Sequence, residues 1–196
     1  TANKIYDDMI DFAKYAFNKS HASAYAVVSY QTAWLKYYYP VEYMAALMTS
    51  VIDNPGKVAE YIYSCRQMGI KILPPDINHG YSSFSVDNGS IRYGLAAIKS
   101  IGRPVIKEIV AERKANGEFK NLKDFIERMS GKDINKRTIE NFIKSGAFDE
   151  LGGTRKQFMV IYVQILDQVN REKKNSMTGQ MSLFDIVGEE QKSEFD

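Results

Sequence analysis

The strongest constraint on the fold is a helical spacing of apolar residues that proline and glycine interrupt at intervals. Over residues 3–17 the apolar side chains recur about one helical turn apart, and the same spacing returns after a short polar cluster. Pro40 and Pro55 each suit the first turn of a further helix, and Gly69 suits a C-terminal cap. The pattern therefore predicts four packed helices over residues 1–69. The apolar positions of the first two are Ile5, Met9, Phe12, Ala16, Ala24, Val27, Val28, Trp34 and Leu35.

After residue 69 the spacing changes from that of helices to that of short strands. The stretch "IKILPPDIN" predicts a short strand that runs into a turn, and "FSVDNGSIRYG" predicts a hairpin with Asn88 and Gly89 in its tight turn. Helical spacing returns at about residues 103–115, 121–129, 136–145 and 155–173. The predicted fold class is mainly α, with a small β-hairpin between two groups of helices.

Composition excludes several classes of site. With one cysteine, Cys65, the chain can form no internal disulfide or cysteine-rich zinc site, and two histidines are too few for a convincing metal cluster. No run approaches the roughly 18 apolar residues of a membrane span, and no signal peptide opens the chain. These features predict a cytoplasmic protein with no membrane partner. Because the chain starts without methionine, inside a helical pattern, we expect it to be a piece of a longer protein.

Positive charge is concentrated in one part of the sequence. The formal net charge is only +2, which by itself does not indicate a nucleic-acid partner. Residues 99–114, however, carry five basic side chains against Glu108 and Glu112, whereas residues 185–196 are strongly acidic. Only the first of these two stretches could meet phosphate.

The stretch "GLAAIKSIGRPVIKEIVAER", residues 94–113, predicts a helical hairpin with a phosphate site at its turn. A helix-like segment leads to a tight turn at Gly102, and a second helix opens with Pro104 in its first turn. The free N–H groups of such a helix start can bind a phosphate oxygen without reading a base. The alternative is a packing element whose lysines are merely solvated. The predicted DNA contacts are Lys99, Ser100, Gly102, Arg103 and Lys107.

A second stretch, "TIENFIKSGAFDELGGTRKQF", repeats this arrangement with a longer turn. A predicted helix ends at Gly146, and a Gly152–Gly153 turn precedes the start of another helix. By itself this stretch is more typical of plain packing. Its candidate DNA contacts are Thr154, Arg155 and Lys156.

The stretch "FNKSHASAYAVVSYQ" collects four polar side chains at a helix entrance, where one capping group would suffice. They are Asn18, Lys19, Ser20 and His21. Several donors aimed at one anion, with help from the helix dipole, would suit a polyphosphate. The alternative is that Ser20 caps the helix and Lys19 is solvated. No nucleophile or carboxylate can be placed beside His21, so the sequence shows no catalytic constellation.

The stretch "GQMSLFD" lies in the acidic segment that follows the last predicted helix. Its apolar residues have no helical period that would bury them, so they either fill the pocket of a partner or form an exposed sticky segment. The residues concerned are Gln180, Met181, Ser182, Leu183 and Phe184.

Five of these stretches occur together in one order that resembles a known family. They are "FNKSHASAYAVVSYQTAWLKYYYPVEYMAALMTS", "ILPPDIN", "YGLAAIKSIG", "FIKSGAFDELG" and "GQMSLFD". The chain resembles part of the alpha subunit of bacterial DNA polymerase III, a replicative C-family DNA polymerase, and the resemblance covers nearly all of it. In that family the first hairpin usually has glycine where Ser100 stands, so we expect a less close phosphate approach or a hydroxyl contact instead.

The resemblance implies a division of the chain into three parts. Residues 1–80 would be the C-terminal part of the fingers, residues 81–175 a helix-hairpin-helix region, and residues 176–196 a flexible tail with an internal clamp-binding motif. The polar cluster at residues 18–21 would face the incoming deoxynucleotide triphosphate, the hairpins would hold primer-template DNA, and residues 180–184 would dock in the sliding clamp, the beta subunit. Other replicase subunits are further implied partners.

The resemblance also implies that this chain lacks the catalytic centre. The family's metal-binding aspartates belong to a palm domain that the sequence does not contain, so Mg2+ would be held by the parent polymerase and no cofactor by this fragment. The fragment alone is therefore predicted to be inactive. Two alternatives remain at this point: a non-enzymatic helix-hairpin-helix adaptor from repair or processing machinery, and a helical protein-interaction scaffold without nucleic-acid contact.

Overall fold

The computed structural model describes residues 1–16 and 19–177, and over these residues the fold is mainly helical, as predicted. All eight predicted helices are present. They are α1 (Ala2–Ala16), α2 (Lys19–Tyr38), α3 (Pro40–Ser50), α4 (Pro55–Gln67), α5 (Arg103–Asn116), α6 (Leu122–Met129), α7 (Lys136–Ser145) and α8 (Arg155–Met177). Pro40, Pro55 and Pro104 each occupy the first turn of a helix, where the missing amide of proline removes no helical hydrogen bond.

Three short strands form one small sheet in the order β1-β3-β2. They are β1 (Ile72–Leu73), β2 (Ser85–Asp87) and β3 (Ser90–Arg92). The predicted hairpin of β2 and β3 is confirmed, and its turn residues Asn88 and Gly89 have φ angles of +48° and +74°, as the tightest hairpin turns require. The parallel pairing of β1 with β3 was not predicted, because a two-residue strand has too little pattern to indicate a partner.

The buried side chains form two clusters. The first packs α3 and α4 against the sheet and contains Met44, Ala45, Met48, Ile52, Val58, Cys65, Ile70, Phe84 and Ile91. The second fills the space between α5, α6, α7 and α8, and Phe125, Phe142 and Phe148 lie at its centre with edge-to-face and tilted ring contacts. The β-hairpin packs with the first cluster, so the division between clusters does not coincide with the predicted boundary at residue 80.

Helices α1 and α2 belong to neither cluster, which differs from the expected packing of four helices. Every side chain of α1 and α2 whose exposure the structure describes is exposed, apart from the half-buried Ala22. Phe12 is 76% exposed, Val27 57% and Trp34 41%. Their apolar spacing is real, but nothing in the described part of the chain covers it.

The loop after β1 ties the sheet to the second cluster. The side chain of Asn78 donates to the carbonyl oxygen of Phe119 (3.0 Å) and accepts from its amide (2.8 Å), as a neighbouring strand would. The amide of Ile77 donates to Ala147 O (2.9 Å), and the buried Arg113 guanidinium donates to Ile77 O (2.8 Å). The segment before α5 is thereby fixed against α5, α6 and α7.

Candidate nucleic-acid interface

The first arm of the predicted hairpin is a single 3₁₀ turn, Leu95–Ala97, and not a helix. The amides of Leu95 and Ala96 donate to the carbonyl oxygens of Tyr81 and Ser82, at 2.8 and 3.1 Å, and the turn ends after three residues at Ile98, whose ψ of 127° is extended. The backbone also passes very close at Gly94, where a Cβ atom would lie 2.8–2.9 Å from backbone atoms of residues 82–84. Contacts from the preceding loop therefore overrode the local helical pattern.

The turn itself points outward. Ile101 is buried and anchors it, whereas Lys99, Ser100 and Gly102 are exposed. The residue in the left-handed region is Ser100, with φ of +63°, while Gly102 has an ordinary φ of −76°, and a Cβ atom there would meet only Pro104 Cδ, at 3.6 Å. Glycine at position 100 would adopt this φ without strain.

The start of α5 has no side-chain cap. Its capping residue is Gly102, which offers no acceptor, whereas Asn54, Asn121 and Asn135 accept from the third residue of α4, α6 and α7. The first amides of α5 have no intrahelical acceptor either, as at every helix start. An anion in front of α5 would receive these N–H groups and the positive end of the helix dipole.

Cationic side chains surround this corner, as the sequence predicted. Arg103 and Lys107, one helical turn apart, line an open cleft of about 310 Å³ beside the loop at residues 81–83. Lys99 is exposed on the turn that precedes them. Arg103 pairs with Asp53 at 3.1 Å, but both side chains are mostly exposed, and such a surface pair contributes only about 0–1 kcal/mol. A phosphate could therefore displace Asp53 at little cost.

Helix α7 contributes two further side chains that the sequence analysis missed. Arg137 donates from Nη2 to the Ser100 hydroxyl at 3.1 Å, and Asn141 donates from Nδ2 to the carbonyl oxygen of Lys99 at 3.0 Å. The contacts join residues 37 and 42 positions apart, so no local motif could indicate them.

The second hairpin is present, but two of its three predicted contacts are engaged within the chain. Thr154 and Gln157 form a reciprocal cap at the start of α8, since each backbone amide donates to the other's side chain at 2.9 and 3.2 Å. Arg155 grips the Asp149 carboxylate, with Nε 2.9 Å from Oδ1, and this hydrogen bond raises the pKa of Arg155. Lys156 is exposed and has no ion-pair partner among the described residues.

A charged network behind the first hairpin fixes α5 to α6. Glu112 accepts from Lys132, from Asn116 at 2.7 Å and from Arg128 at 3.1 Å, and these bonds lower its pKa to about 2. Arg128 also donates to Gly117 O at 2.8 Å and lies over the Phe119 ring, 4.3 Å from its centroid. Helix α5 is therefore held at its C-terminal end by this network.

The predicted nucleotide contacts lie at the start of α2. Helix α2 includes both Lys19 and Ser20, so Ser20 lies inside the helix and the alternative that it caps the helix is wrong. Lys19, Ser20 and His21 are exposed, and the His21 ring contacts Tyr25 with centroids 4.4 Å apart. Asn18 and the predicted clamp-binding residues, Gln180, Met181, Ser182, Leu183 and Phe184, lie outside the described residues.

The described residues contain neither a candidate metal cluster nor a candidate membrane span. Residues 1–16 and 19–177 contain no group of three or more His, Cys, Asp or Glu side chains placed to hold a metal ion. Within the same residues, every helix is too short or too polar for a membrane span.

Comparisons with known proteins bear on both hairpins. Residues 69–158 match a family model described as a helix-hairpin-helix motif. Over 190 residues the chain is 46% identical to the DNA polymerase III subunit alpha of Escherichia coli. This alignment covers 96% of this chain and 16% of that protein. The corresponding subunits of Vibrio cholerae and Mycobacterium tuberculosis are 45% and 42% identical over 95% and 92% of this chain. The chain spans only about one sixth of the length of these curated relatives.

Proposed function

Because this chain is homologous over nearly its whole length to a segment of the DNA polymerase III alpha subunit, we propose that it is the DNA-gripping part of a replicative DNA polymerase. The observation that carries this proposal is the exposed, uncapped start of α5 with Lys99, Arg103 and Lys107 around it. It lies inside the residues that match the helix-hairpin-helix model.

The groups at this corner favour a grip that is neutral to base sequence. Backbone amides and long cationic side chains bind phosphate oxygens, whereas base reading requires a helix or strand inserted in a groove. In the second hairpin, Lys156 is the side chain best placed to add a contact. We expect roughly three to five phosphates to be neutralised, each adding about 0.9 to the slope of log affinity against log salt.

Titration of a labelled primer-template duplex tests this grip directly. The full chain, Arg103→Gln and Lys107→Gln are compared by fluorescence anisotropy at several salt concentrations. Each variant should bind the duplex several-fold more weakly, and its slope of log affinity against log salt should fall by about 0.9, the share of one phosphate contact. Lys114→Gln is the matched control, since it removes the same charge from the other end of α5, about 16 Å away.

A salt-independent affinity, or equal losses in all three variants, would overturn the electrostatic explanation. Absence of binding at low salt would instead favour a protein-interaction scaffold.

We also propose that Lys19, Ser20 and His21, together with Asn18, contact the triphosphate of the incoming nucleotide. Their support is the resemblance to the fingers motif and the exposed position of the first three at the start of α2. In the whole polymerase, Lys19→Ala should raise the KM for deoxynucleotide because one charge-assisted bond to phosphate is lost. Lys36→Ala, in the last turn of the same helix, should leave KM unchanged.

A third proposal concerns attachment to the sliding clamp through residues 180–184. Replacement of Leu183 and Phe184 by alanine should abolish binding to immobilised clamp, because two apolar anchors of a short motif carry most of its affinity. Lys192→Ala is the control, because it lies in the acidic segment after the predicted motif. Unchanged affinity in the double variant would remove these residues from the interface.

The catalytic step itself would belong to other parts of the polymerase. We place the Mg2+-binding aspartates of phosphoryl transfer, and contacts with other replicase subunits, outside this chain, and we expect the parent enzyme in the cytoplasm. Purified alone, the 196-residue chain should show no primer extension. Metal-dependent extension by this chain would contradict that expectation.

A further inference from the structure

Arg137 stands out among the arginines around the hairpins because it has no carboxylate partner in the described part of the chain. Arg103 pairs with Asp53 and Arg155 with Asp149. The side chain of Arg137 is exposed, and its one polar contact with residues 1–16 and 19–177 is the 3.1 Å bond to the hydroxyl of Ser100. Its positive charge is therefore uncompensated and is held at the hairpin turn.

The same face of α7 holds the turn at a second point. Asn141, one helical turn after Arg137, donates to the carbonyl oxygen of Lys99, the residue before Ser100. Helix α7 is itself fixed, because Asn135 caps its start and Ile139, Phe142 and Ile143 are fully buried. Arg137 thus extends from a rigid element toward the predicted phosphate site.

Ser100 accounts for the position of the guanidinium. A serine with φ of +63° is strained by about 1 kcal/mol relative to glycine. Glycine would relieve the strain but could not accept a hydrogen bond from Arg137. The hydroxyl therefore gives the turn a function that glycine lacks, namely to orient a cation from a distant helix.

We propose that Arg137 is a further DNA contact, which binds a phosphate next to the one held by the amides of α5. This inference rests on the proposed DNA grip and deepens it: the corner becomes a clamp built from two elements, the turn before α5 and the first turn of α7. Two arms of a planar guanidinium can hold one phosphate while a third N–H stays on Ser100.

The test compares the salt dependence of duplex binding in four variants of the full chain. Arg137→Gln should weaken binding about 3- to 10-fold and lower the salt slope by about 0.9, because one phosphate contact is lost. Arg137→Lys should keep the slope, since it keeps the charge. Asn141→Ala removes a structural bond without charge and should leave the slope unchanged. Arg103→Gln reports on the underlying grip, and thermal unfolding checks that each variant is folded.

The outcomes separate the two proposals. If Arg103→Gln lowers the slope and Arg137→Gln does not, the grip stands and Arg137 is only structural. If neither variant changes the slope, the proposed DNA grip itself fails. A lowered slope in Arg137→Gln that Arg137→Lys restores would support the two-element clamp.

Discussion

Gly146, in the second hairpin, combines a left-handed backbone conformation with close side-chain neighbours. It ends α7 with φ of +87°, and a Cβ atom there would lie 2.2 Å from Nη2 of Arg155 and 2.8 Å from Oδ2 of Asp149. Gly152 has a similar φ of +78° but nothing within 4 Å of a Cβ. The two glycines therefore share one conformational requirement and differ in the space around them.

Substitution of each glycine by alanine separates these effects. Gly152→Ala should lower the free energy of unfolding by about 1 kcal/mol, the cost of a left-handed residue with a side chain. Gly146→Ala should cost about 1–2 kcal/mol, because the half-exposed Arg155 side chain must also move away from Asp149 and a surface ion pair contributes about 0–1 kcal/mol. Urea unfolding monitored by circular dichroism measures both. Equal losses in the free energy of unfolding would show that Arg155 moves away from Asp149 without measurable cost.

At the scale of residues, the sequence predicted the side chains that adjoin the turn in the chain and missed those that reach the turn from a distant helix. Lys99, Arg103 and Lys107 were predicted because they adjoin Gly102 in the chain. Arg137 was missed because its contact depends on how α7 packs. Arg155 was predicted as a DNA contact, yet its nearest carboxylate, six residues earlier, engages it within the fold.

The junction of α5 and α6 depends on an ionised Glu112, and this gives it a pH dependence. The folded-state pKa of Glu112, about 2, lies below the ordinary value of 4.5, so its bonds stabilise the fold above pH 4.5. That stabilisation is lost as the pH falls from about 4.5 to 2.

Glu112→Gln tests this dependence. At pH 7 the variant should be less stable by about 1–2 kcal/mol, since a buried network loses its charge, and the difference from the wild type should shrink toward pH 2.5. Glu108→Gln, an exposed position of the same helix, should match the wild type at both pH values. The measurement is the denaturant midpoint of the wild type and of both variants at pH 7 and at pH 2.5. A difference that persists at the lower pH would contradict the assignment.

At the scale of elements, periodicity and stop signals predicted every helix in the described residues. The two elements that were predicted wrongly or incompletely are both short. Leu95–Ala97 was expected to be helical, but contacts with the loop at residues 81–84 hold it in a single turn that ends at the extended Ile98, and β1 gave no sign of its parallel partner. Both depend on contacts between segments distant in sequence, which local pattern does not contain.

For the whole molecule, α1 and α2 were correctly predicted as helices, but the burial of their apolar residues was not. An amphipathic pattern shows which face of a helix needs a partner, and it does not show whether that partner lies in the same chain. Met9, Phe12 and Val28 are more than half exposed, whereas the equally apolar Met44 and Met48 are buried.

Hydrogen exchange should reveal the difference between the two groups of helices. Amides of α1 and α2 should exchange much faster than those of α5, α6 and α7, because helices without tertiary packing are marginal in water. Exchange of the full chain, followed by mass spectrometry of its peptides, measures this. Comparable protection in α1 and α7 would mean that the N-terminal helices find a partner within the chain.

The exposed helices also determine which piece of the molecule is suited to solution spectroscopy. Both buried clusters begin after Tyr39, and the exposed hairpin corner with its α7 arginine also lies after that residue. A shortened chain starting at Tyr39 would shed most of the large exposed apolar residues and keep the surface proposed to meet DNA. It would be the natural sample for mapping chemical-shift changes on addition of a short duplex.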